Sequence, residues 1–313
     1  MNTRHLVDPE LLPLLDAFPK VRITSENLHE LRNRELPFPP VEDCGVDWEE
    51  RVIDGLETPI SVRIYRPREA AAPLGCIFHV HGGGFVGGTV AEVEFLHRPL
   101  AGELGCVIVS VDYRLAPETI FPGNIEDCYA ALAWTFTKAN ELGIDPQRIG
   151  VMGESAGGGL AAALALLARD RGEHDLAFQH LIYPMLDDRT CVREPNLYAG
   201  EFVWDAHNNA FGWRSLLGQE PGGADVSPYA APARATDLSS LPPTFIATAA
   251  LDLFVDEDIE YATRLIGAGV PVELHVWPGG FHGFDLAPGP SVSDSARHAS
   301  LEALRRALKG KTG

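Results

Sequence analysis

The chain has 313 residues, of which 45% are hydrophobic, and its 25 basic and 44 acidic side chains give a formal charge of −19 at pH 7. This composition excludes a disordered or fibrous chain. The excess of acidic residues argues against nucleic acid and anionic membranes as partners, because both bind through clustered lysine and arginine. A length of this order fits one large α/β domain or two smaller domains.

The five cysteines predict neither a disulfide framework nor a zinc site, because they are widely spaced and no pair has the CxxC spacing. Prolines and acidic residues interrupt the one leucine-rich stretch near the N-terminus, so it lacks the continuous apolar core of a signal peptide. The longest apolar run, residues 157–168, is shorter than the ~20 residues that span a membrane. We therefore expect a cytoplasmic protein.

Two helices are predicted in the first 40 residues. Asp8 followed by Pro9 is typical of a helix start, and leucines between residues 11 and 15 give this helix an apolar side. A second helix is predicted over residues 25–34, and the proline-rich segment 37–40 ends it.

Farther along the chain, strands alternate with helices. Residues 60–66 alternate apolar and polar side chains, whereas residues 75–80 and 106–112 are short and almost continuously apolar, as in a buried parallel sheet. The predicted strands are 60–66, 75–80, 106–112, 148–153, 178–183, 244–249 and 272–277, and the predicted helices are 124–142, 156–170, 256–268 and 293–309. This alternation indicates an α/β fold with a mostly parallel central sheet flanked by helices.

A long insertion, residues 185–240, interrupts the alternation and is rich in proline, glycine and aromatic residues. A segment of this length inside a compact domain is usually a lid or a small subdomain. We predict that residues 1–45 and 185–240 form a helical cap on a core made of residues 46–184 and 241–313.

The strongest chemical signal is the sequence Gly153-Glu154-Ser155-Ala156-Gly157, which lies between a predicted strand and an apolar helix. A GxSxG sequence in this setting predicts a sharp turn that exposes the serine hydroxyl at the carboxyl end of the sheet. Glycines flank the serine because a Cβ there would clash with neighbouring backbone. The structural alternative is a tight turn with an incidental serine, but the context favours Ser155 as a nucleophile.

A second glycine-rich segment, His81-Gly82-Gly83-Gly84, directly follows the second predicted strand. Consecutive glycines leave their N–H groups unobstructed, as an oxyanion hole requires. We assign the donors to the amides of Gly83, Gly84 and Ala156, and we expect His81 to orient this loop. A phosphate-binding loop fits less well, because no lysine follows and the spacing is neither GxGxxG nor that of a P-loop.

These two motifs, together with the stretch DYRLAPE at residues 112–118, resemble those of the bacterial hormone-sensitive-lipase-like (family IV) carboxylesterases. The likeness extends from about residue 45 to the end of the chain, with the three motifs in the family's order and spacing. It implies an α/β-hydrolase fold with a helical cap, hydrolysis of short- to medium-chain acyl esters, and a homodimer formed along a sheet edge. The family more usually has aspartate at the position of Glu154.

In this fold the acid and the histidine of the catalytic triad follow the serine in chain order. His282 lies in a turn-like segment after the last predicted strand, and the resemblance marks the same position as the family's catalytic histidine. Asp252, just beyond the preceding strand, is expected to orient that histidine. Asp256, Glu257 and Asp258 fit less well, and Asp256 is expected to cap the next helix.

Several other groups are candidates for metal binding, for ion pairs or for the acyl pocket. His79 and His81 share one face of a strand, but no third ligand is evident nearby, so no metal or other cofactor is predicted. Asp112, Arg114 and Glu118 are expected to form ion pairs that fix a loop near the site. Five aromatic residues are candidates for an acyl pocket: Phe85, Phe202, Trp204, Phe211 and Trp213.

The sequence thus predicts a carboxylic ester hydrolase that acts on a small-molecule ester through a Ser-His-Asp acyl-enzyme mechanism. An amidase, a lactonase or a thioesterase would use the same machinery. A non-catalytic binding protein on this scaffold is less favoured, because the three triad residues and the glycine loop are all present.

Overall fold

The computed structural model describes residues 2–34, 41–71, 73–286 and 288–309, and eight strands of this part form one sheet. The strands are β1 Val46–Ile53, β2 Ile60–Pro67, β3 Leu74–Val80, β4 Val107–Asp112, β5 Ile144–Glu154, β6 Gln179–Ile182, β7 Thr244–Ala249 and β8 Val272–Trp277. Their spatial order is β1-β2-β4-β3-β5-β6-β7-β8. Strand β2 pairs antiparallel with β1 and β4, and the other pairs are parallel, which confirms the predicted sheet.

Helices pack on both faces of the sheet. The α-helices of the described residues are α1 Leu12–Ala17, α2 Leu28–Arg32, α3 Glu94–Leu104, α4 Gly123–Thr137, α5 Ala139–Leu142, α6 Ala156–Arg171, α7 Ala206–Leu217, α8 Val255–Gly267 and α9 Ser291–Leu308. On β3, Ile77 packs with α3 and α9, whereas Phe78 and Val80 face the larger apolar cluster that contains α4, α6 and α8. The apolar run at residues 157–168 is part of α6 and is buried throughout. No helix in the described part of the chain is long and apolar enough to cross a membrane.

The predicted strands are confirmed to within a few residues, but three elements were missed. Strand β1 is an edge strand whose inner positions are mostly exposed and charged, so its sequence lacks a strand pattern. Helices α3 and α7 were not predicted either. The predicted helix 124–142 is divided into α4 and α5, and the predicted end of the second helix at 37–40 lies outside the described residues.

The insertion at 185–240 is joined both to the N-terminal segment and to the core. The backbone N–H of Ile23 donates to Oδ1 of Asn208 in α7 at 2.9 Å, and Nδ2 of Asn208 donates to the Val21 carbonyl at 2.8 Å. Trp213 and Leu216 of α7 belong to the main apolar cluster of the sheet. The insertion therefore shares the core of the sheet instead of forming a separate lobe.

Burial of His180 in β6 makes the stability of this fold depend on pH. Its ring stacks on Phe245 with the centroids 4.3 Å apart, and its Nε2 lies 2.7 Å from Oγ of Ser300. Burial lowers the pKa of His180 from 6.5 to about 3, so over this range the unfolded chain binds a proton that the folded chain does not. Its stabilising contribution is therefore complete above pH 6.5 and is lost as the pH falls towards 3.

We expect His180→Phe, which keeps the ring on Phe245, to flatten the acid side of the stability profile. Urea unfolding of both proteins between roughly pH 6 and pH 4 measures this, because His180 titrates only in the unfolded chain over that range. Two profiles that fall in parallel would show that His180 binds its proton equally well in both states.

Candidate active site

Ser155 is the single residue between β5 and α6, and its backbone is strained. It has φ 56° and ψ −124°, a region that residues with a side chain rarely occupy. A Cβ added at Gly153 would overlap the backbone of Gly157, and one added at Gly157 would overlap the carbonyl oxygen of Val80. The flanking glycines thus allow the turn that holds the serine hydroxyl at the end of the sheet.

A continuous chain of hydrogen bonds runs from Ser155 to a buried carboxylate. Oγ of Ser155 lies 2.9 Å from Nε2 of His282, and Nδ1 of His282 lies 2.7 Å from Oδ2 of Asp252. The other carboxylate oxygen of Asp252 accepts the N–H of Phe254 at 2.9 Å, and the side chain is completely buried. A carboxylate in this position holds the imidazole proton on Nδ1, so that Nε2 accepts the serine proton.

The loops after β7 and β8 bring the acid and the histidine together. The N–H of Asp252 donates to the carbonyl of Ala249, the last residue of β7, at 3.0 Å. The N–H of Leu251 donates to the carbonyl of Gly280 in the loop that carries His282, also at 3.0 Å. The two loops are therefore tied by backbone as well as by the imidazole.

The other acids near Asp252 lie elsewhere. Helix α8 begins at Val255 with Phe254 at its N-cap, so the prediction that Asp256 caps this helix is wrong. Asp256 is exposed and accepts a hydrogen bond from Nδ2 of Asn196 at 3.1 Å. Glu257 and Asp258 are both buried on α8, where burial raises the pKa of Glu257 to about 8 and that of Asp258 well above its usual value.

The glycine loop lies against the serine. A Cβ on Gly82 would stand 3.5 Å from Cβ of Ser155, and Gly83 and Gly84 have φ values of 116° and 62°. Among the described residues, no acceptor is hydrogen-bonded to the amide of Gly83, Gly84 or Ala156. These are the three N–H groups that the sequence assigned to an oxyanion hole, and they are free to bind an anionic oxygen.

His81 is fixed within this loop. Its Nδ1 lies 2.8 Å from the Gly82 carbonyl, and its ring stacks on Tyr113 with the centroids 4.4 Å apart. The Tyr113 hydroxyl in turn donates to the His81 carbonyl at 2.9 Å. Sequence reasoning missed Tyr113, although it lies in the DYRLAPE stretch. These contacts are what a loop-orienting role for His81 would require.

Arg114 and Glu118 of the DYRLAPE stretch form ion pairs with partners elsewhere, whereas Asp112 accepts the N–H of Val90 at 3.4 Å. Arg114 pairs with the buried Asp127 at 2.7 Å and with Glu57 at 2.6 Å. Glu118 pairs with Arg32 of α2 at 2.8 Å. The stretch is therefore anchored to α4 on one side and to the N-terminal segment on the other.

Three of the five aromatic residues predicted as pocket candidates, Phe85, Trp204 and Trp213, belong to the main apolar cluster of the sheet. Phe85 and Trp213 are fully buried, and their ring centroids are 5.1 Å apart. Helix α7 carries Trp213 on its buried face, towards the apolar cluster of the sheet, and the assignment of both residues to an acyl pocket stays a prediction.

Of the five, Trp204 is the one next to the proposed reacting groups. Its ring centroid is 6.4 Å from that of His282, and a Cβ added at Gly84 would overlap the indole. Phe202 is half-buried beside Phe281, and Phe211 is half-buried against the cluster that contains α2. Trp204 therefore forms a wall next to the glycine loop.

The prediction that no third ligand-type residue stands near His79 is wrong. His97 of α3 and Glu154 lie beside it, with the possible ligand atoms of the three within 4.8 Å of one another. The rings of His79 and His97 meet edge to face with their centroids 4.0 Å apart, closer than two imidazoles bound to one tetrahedral ion. Nε2 of His79 instead lies 2.9 Å from Oε2 of Glu154. A hydrogen bond thus joins His79 to Glu154, and His97 packs against the ring of His79.

Comparisons with known proteins agree with this geometry. The sequence model of a family described by the alpha/beta hydrolase fold matches residues 77–286. The chain is 38% identical to carboxylesterase NlhH of Mycobacterium tuberculosis, with 96% of each chain covered, and 36% identical to esterase LipI of the same organism, with 99% and 98% covered. Among solved structures, a bacterial heroin esterase is 42% identical and matches with a TM-score of 0.87 over 98% of this chain and 99% of that one.

Proposed function

Because this chain belongs to the hormone-sensitive-lipase-like group of the alpha/beta hydrolase family and is a carboxylic ester hydrolase, we propose that Ser155, His282 and Asp252 cleave short- to medium-chain acyl esters. The observation that carries the proposal is the unbroken hydrogen-bond chain from the buried Asp252 to the hydroxyl of Ser155. The strained backbone of Ser155 presents that hydroxyl to the glycine loop.

The reaction follows from this arrangement. Oγ of Ser155 attacks the acyl carbonyl carbon as Nε2 of His282 takes the serine proton, and Asp252 stabilises the resulting imidazolium. The charge on the carbonyl oxygen is held by the amides of the oxyanion hole, with the N-terminus of α6 adding to the field. His282 then protonates the departing alkoxide, which leaves as the alcohol. Water attacks the acyl-serine by the same steps and releases the acid.

The proposed limit on acyl length rests on the surroundings of the glycine loop. Trp204 stands against both Gly84 and His282. Arg32 of α2 donates from Nε to the Val86 carbonyl and from Nη2 to the Ala116 carbonyl, each at 2.6 Å. These contacts support the proposed cap of residues 1–45 and 185–240, which would restrict the length of the acyl chain.

Trp204→Ala should widen the accepted acyl range. Removing the indole opens space next to the glycine loop. Each further methylene of the acyl chain that fits into this space should raise kcat/KM by about 10-fold. Initial rates on p-nitrophenyl esters from acetate to decanoate measure the shift towards longer chains. Trp48→Ala, on the edge strand β1, is the matched control, and its acyl profile should equal that of the parent. An unchanged profile in Trp204→Ala would mean that this side chain does not limit the acyl site.

The ester activity itself is tested by the same series extended to palmitate. We expect turnover to be highest with short and medium acyl groups and to fall sharply for the longest. A matched p-nitroanilide and a thioester of the preferred acyl group separate an esterase from an amidase or a thioesterase. Faster cleavage of either would replace the esterase assignment by that activity.

We also propose a cytoplasmic location and a homodimer along the β8 edge of the sheet. All five cysteines are free, and Cys76, Cys106 and Cys128 are buried, which suits a reducing compartment. Strand β8 ends the sheet, and Val276 on it is 40% exposed. Light scattering of the parent and of Val276→Lys measures the oligomeric state, and a monomeric parent would contradict the dimer.

A further inference from the structure

A buried chain of hydrogen bonds crosses three adjacent strands beneath the proposed active site. Ser110 of β4 is opposite His79 of β3, and the Ser110 Oγ lies 2.9 Å from Nδ1 of His79. Nε2 of His79 lies 2.9 Å from Oε2 of Glu154, the last residue of β5. Ser110 and His79 are completely buried, and the proposed reaction uses none of the three side chains.

The two ends of the His79–Glu154 bond belong to the two segments that the reaction must keep in register. Glu154 directly precedes Ser155, and His79 stands two residues before His81, where the glycine loop begins. The segments are already in contact, since a Cβ on Gly82 would stand 3.0 Å from the Glu154 carbonyl oxygen. The distance between the oxyanion donors and the serine hydroxyl is therefore set by how these segments are held.

The ring of His79 cannot turn away from this bond. His97 of α3 packs on it edge to face with the centroids 4.0 Å apart, and the Tyr65 ring in turn packs edge to face with His97, with the centroids 5.6 Å apart. A rotation of the imidazole would break both of its hydrogen bonds inside the core, where an unpaired polar group is strongly unfavourable.

The imidazole of His79 is neutral in this chain of hydrogen bonds. Burial lowers the pKa of His79 well below its usual range, so the ring carries a single N–H at neutral pH. The Nε2–H donates to the Glu154 carboxylate, and Nδ1 accepts a hydrogen bond from the Ser110 hydroxyl. Both ring nitrogens of His79 and the hydroxyl of Ser110 then have hydrogen-bond partners. The His79–Glu154 contact is thus a hydrogen bond between a neutral donor and an acceptor. Its strength depends on whether the Glu154 side chain is long enough to bring its oxygen to Nε2 of His79.

We propose that His79 and Glu154 are positioning residues, and that their hydrogen bond holds the oxyanion loop in register with the nucleophile. The role rests on the proposed function, because it acts through Ser155 and the amides of the glycine loop. It depends on the length of the Glu154 side chain and not on its charge.

Two substitutions at Glu154 separate length from charge. Glu154→Gln keeps the length and an oxygen acceptor for His79, and Glu154→Asp keeps the charge but withdraws the acceptor by about one C–C bond, ~1.5 Å. With p-nitrophenyl butyrate we expect kcat of Glu154→Gln to stay within about threefold of the parent, and kcat of Glu154→Asp to fall about 10- to 100-fold with KM nearly unchanged. The reverse order, or full activity in both variants, would overturn the proposal.

A double-substitution cycle tests whether the two residues act through one bond. His79→Phe should lower kcat by about the same factor as Glu154→Asp, and adding Glu154→Asp to His79→Phe should lower it no further, because the bond is already lost. Fully additive losses would show two independent effects and would contradict the proposal.

The matched control is His180→Phe, which removes another buried histidine with a serine partner from the same sheet. It should lower stability without lowering kcat at pH 8. If His180→Phe reduced kcat as much as His79→Phe, the loss would come from general destabilisation and the positioning role would be refuted.

Ser155→Ala and the Glu154 variants together separate the positioning role from the proposed function. If Ser155→Ala keeps its turnover, the proposed function fails and the positioning role fails with it. If Ser155→Ala is inactive while the Glu154 variants rank in the reverse order, the proposed function stands and the positioning role alone is wrong.

Discussion

Ser155→Ala is expected to lower kcat for a p-nitrophenyl ester by at least about 10⁴-fold, the scale on which serine hydrolases depend on their nucleophile. The loss follows from chemistry, because Oγ of Ser155 is the atom that His282 is placed to deprotonate, at 2.9 Å. The fold should persist, since Cβ and the strained backbone remain. Steady-state kinetics gives kcat, and circular dichroism with thermal unfolding establishes that the variant is folded.

Ser215→Ala is the control for this substitution. Ser215 is a buried serine of α7 outside the hydrogen-bond chain, and its loss should change kcat by less than about twofold. Turnover retained by Ser155→Ala would show that another residue is the nucleophile.

Asp252→Asn is expected to lower kcat by about 10³- to 10⁴-fold with a much smaller change in KM. The amide preserves the shape of the side chain but can donate a hydrogen bond to Nδ1 of His282. The imidazole proton then moves to Nε2, which faces Ser155 and can no longer accept its proton. Measuring kcat and KM separately shows the loss in the chemical step.

Asp256→Asn is the matched control, since Asp256 lies four residues farther along the chain and is exposed. Its bond to Asn196 is on the surface, so kcat should change by less than about twofold. A larger loss in Asp256→Asn than in Asp252→Asn would move the role of the acid to Asp256.

The residues proposed for the reaction could be predicted because their requirements are local. The glycines around Ser155 and after His81 are required by steric contacts within a few residues, so the motifs carry the geometry with them. Asp252 and His282 follow from their positions after the last two strands. The sequence pattern also indicated the strands correctly where they are buried on both faces, which makes them continuously apolar.

The features that could not be predicted depend on the register between strands and on which face of a helix is buried. His79 and Glu154 are 75 residues apart, and only the parallel pairing of β3 with β5 brings their side chains to 2.9 Å. Trp204 lies beside His282, whereas Trp213 is fully buried on α7. This difference depends on where α7 begins and on which of its faces is buried. Neither is encoded in a short stretch of sequence.

The central claim is that Ser155 forms the acyl-enzyme, and the most direct test is to locate a covalent adduct. The protein is treated with a fluorophosphonate until activity is lost, and tandem mass spectrometry then identifies the labelled residue. We predict one phosphonyl group per chain, on Ser155, with residual activity falling in proportion to labelling. An adduct on another residue, or full turnover in completely labelled protein, would contradict the claim.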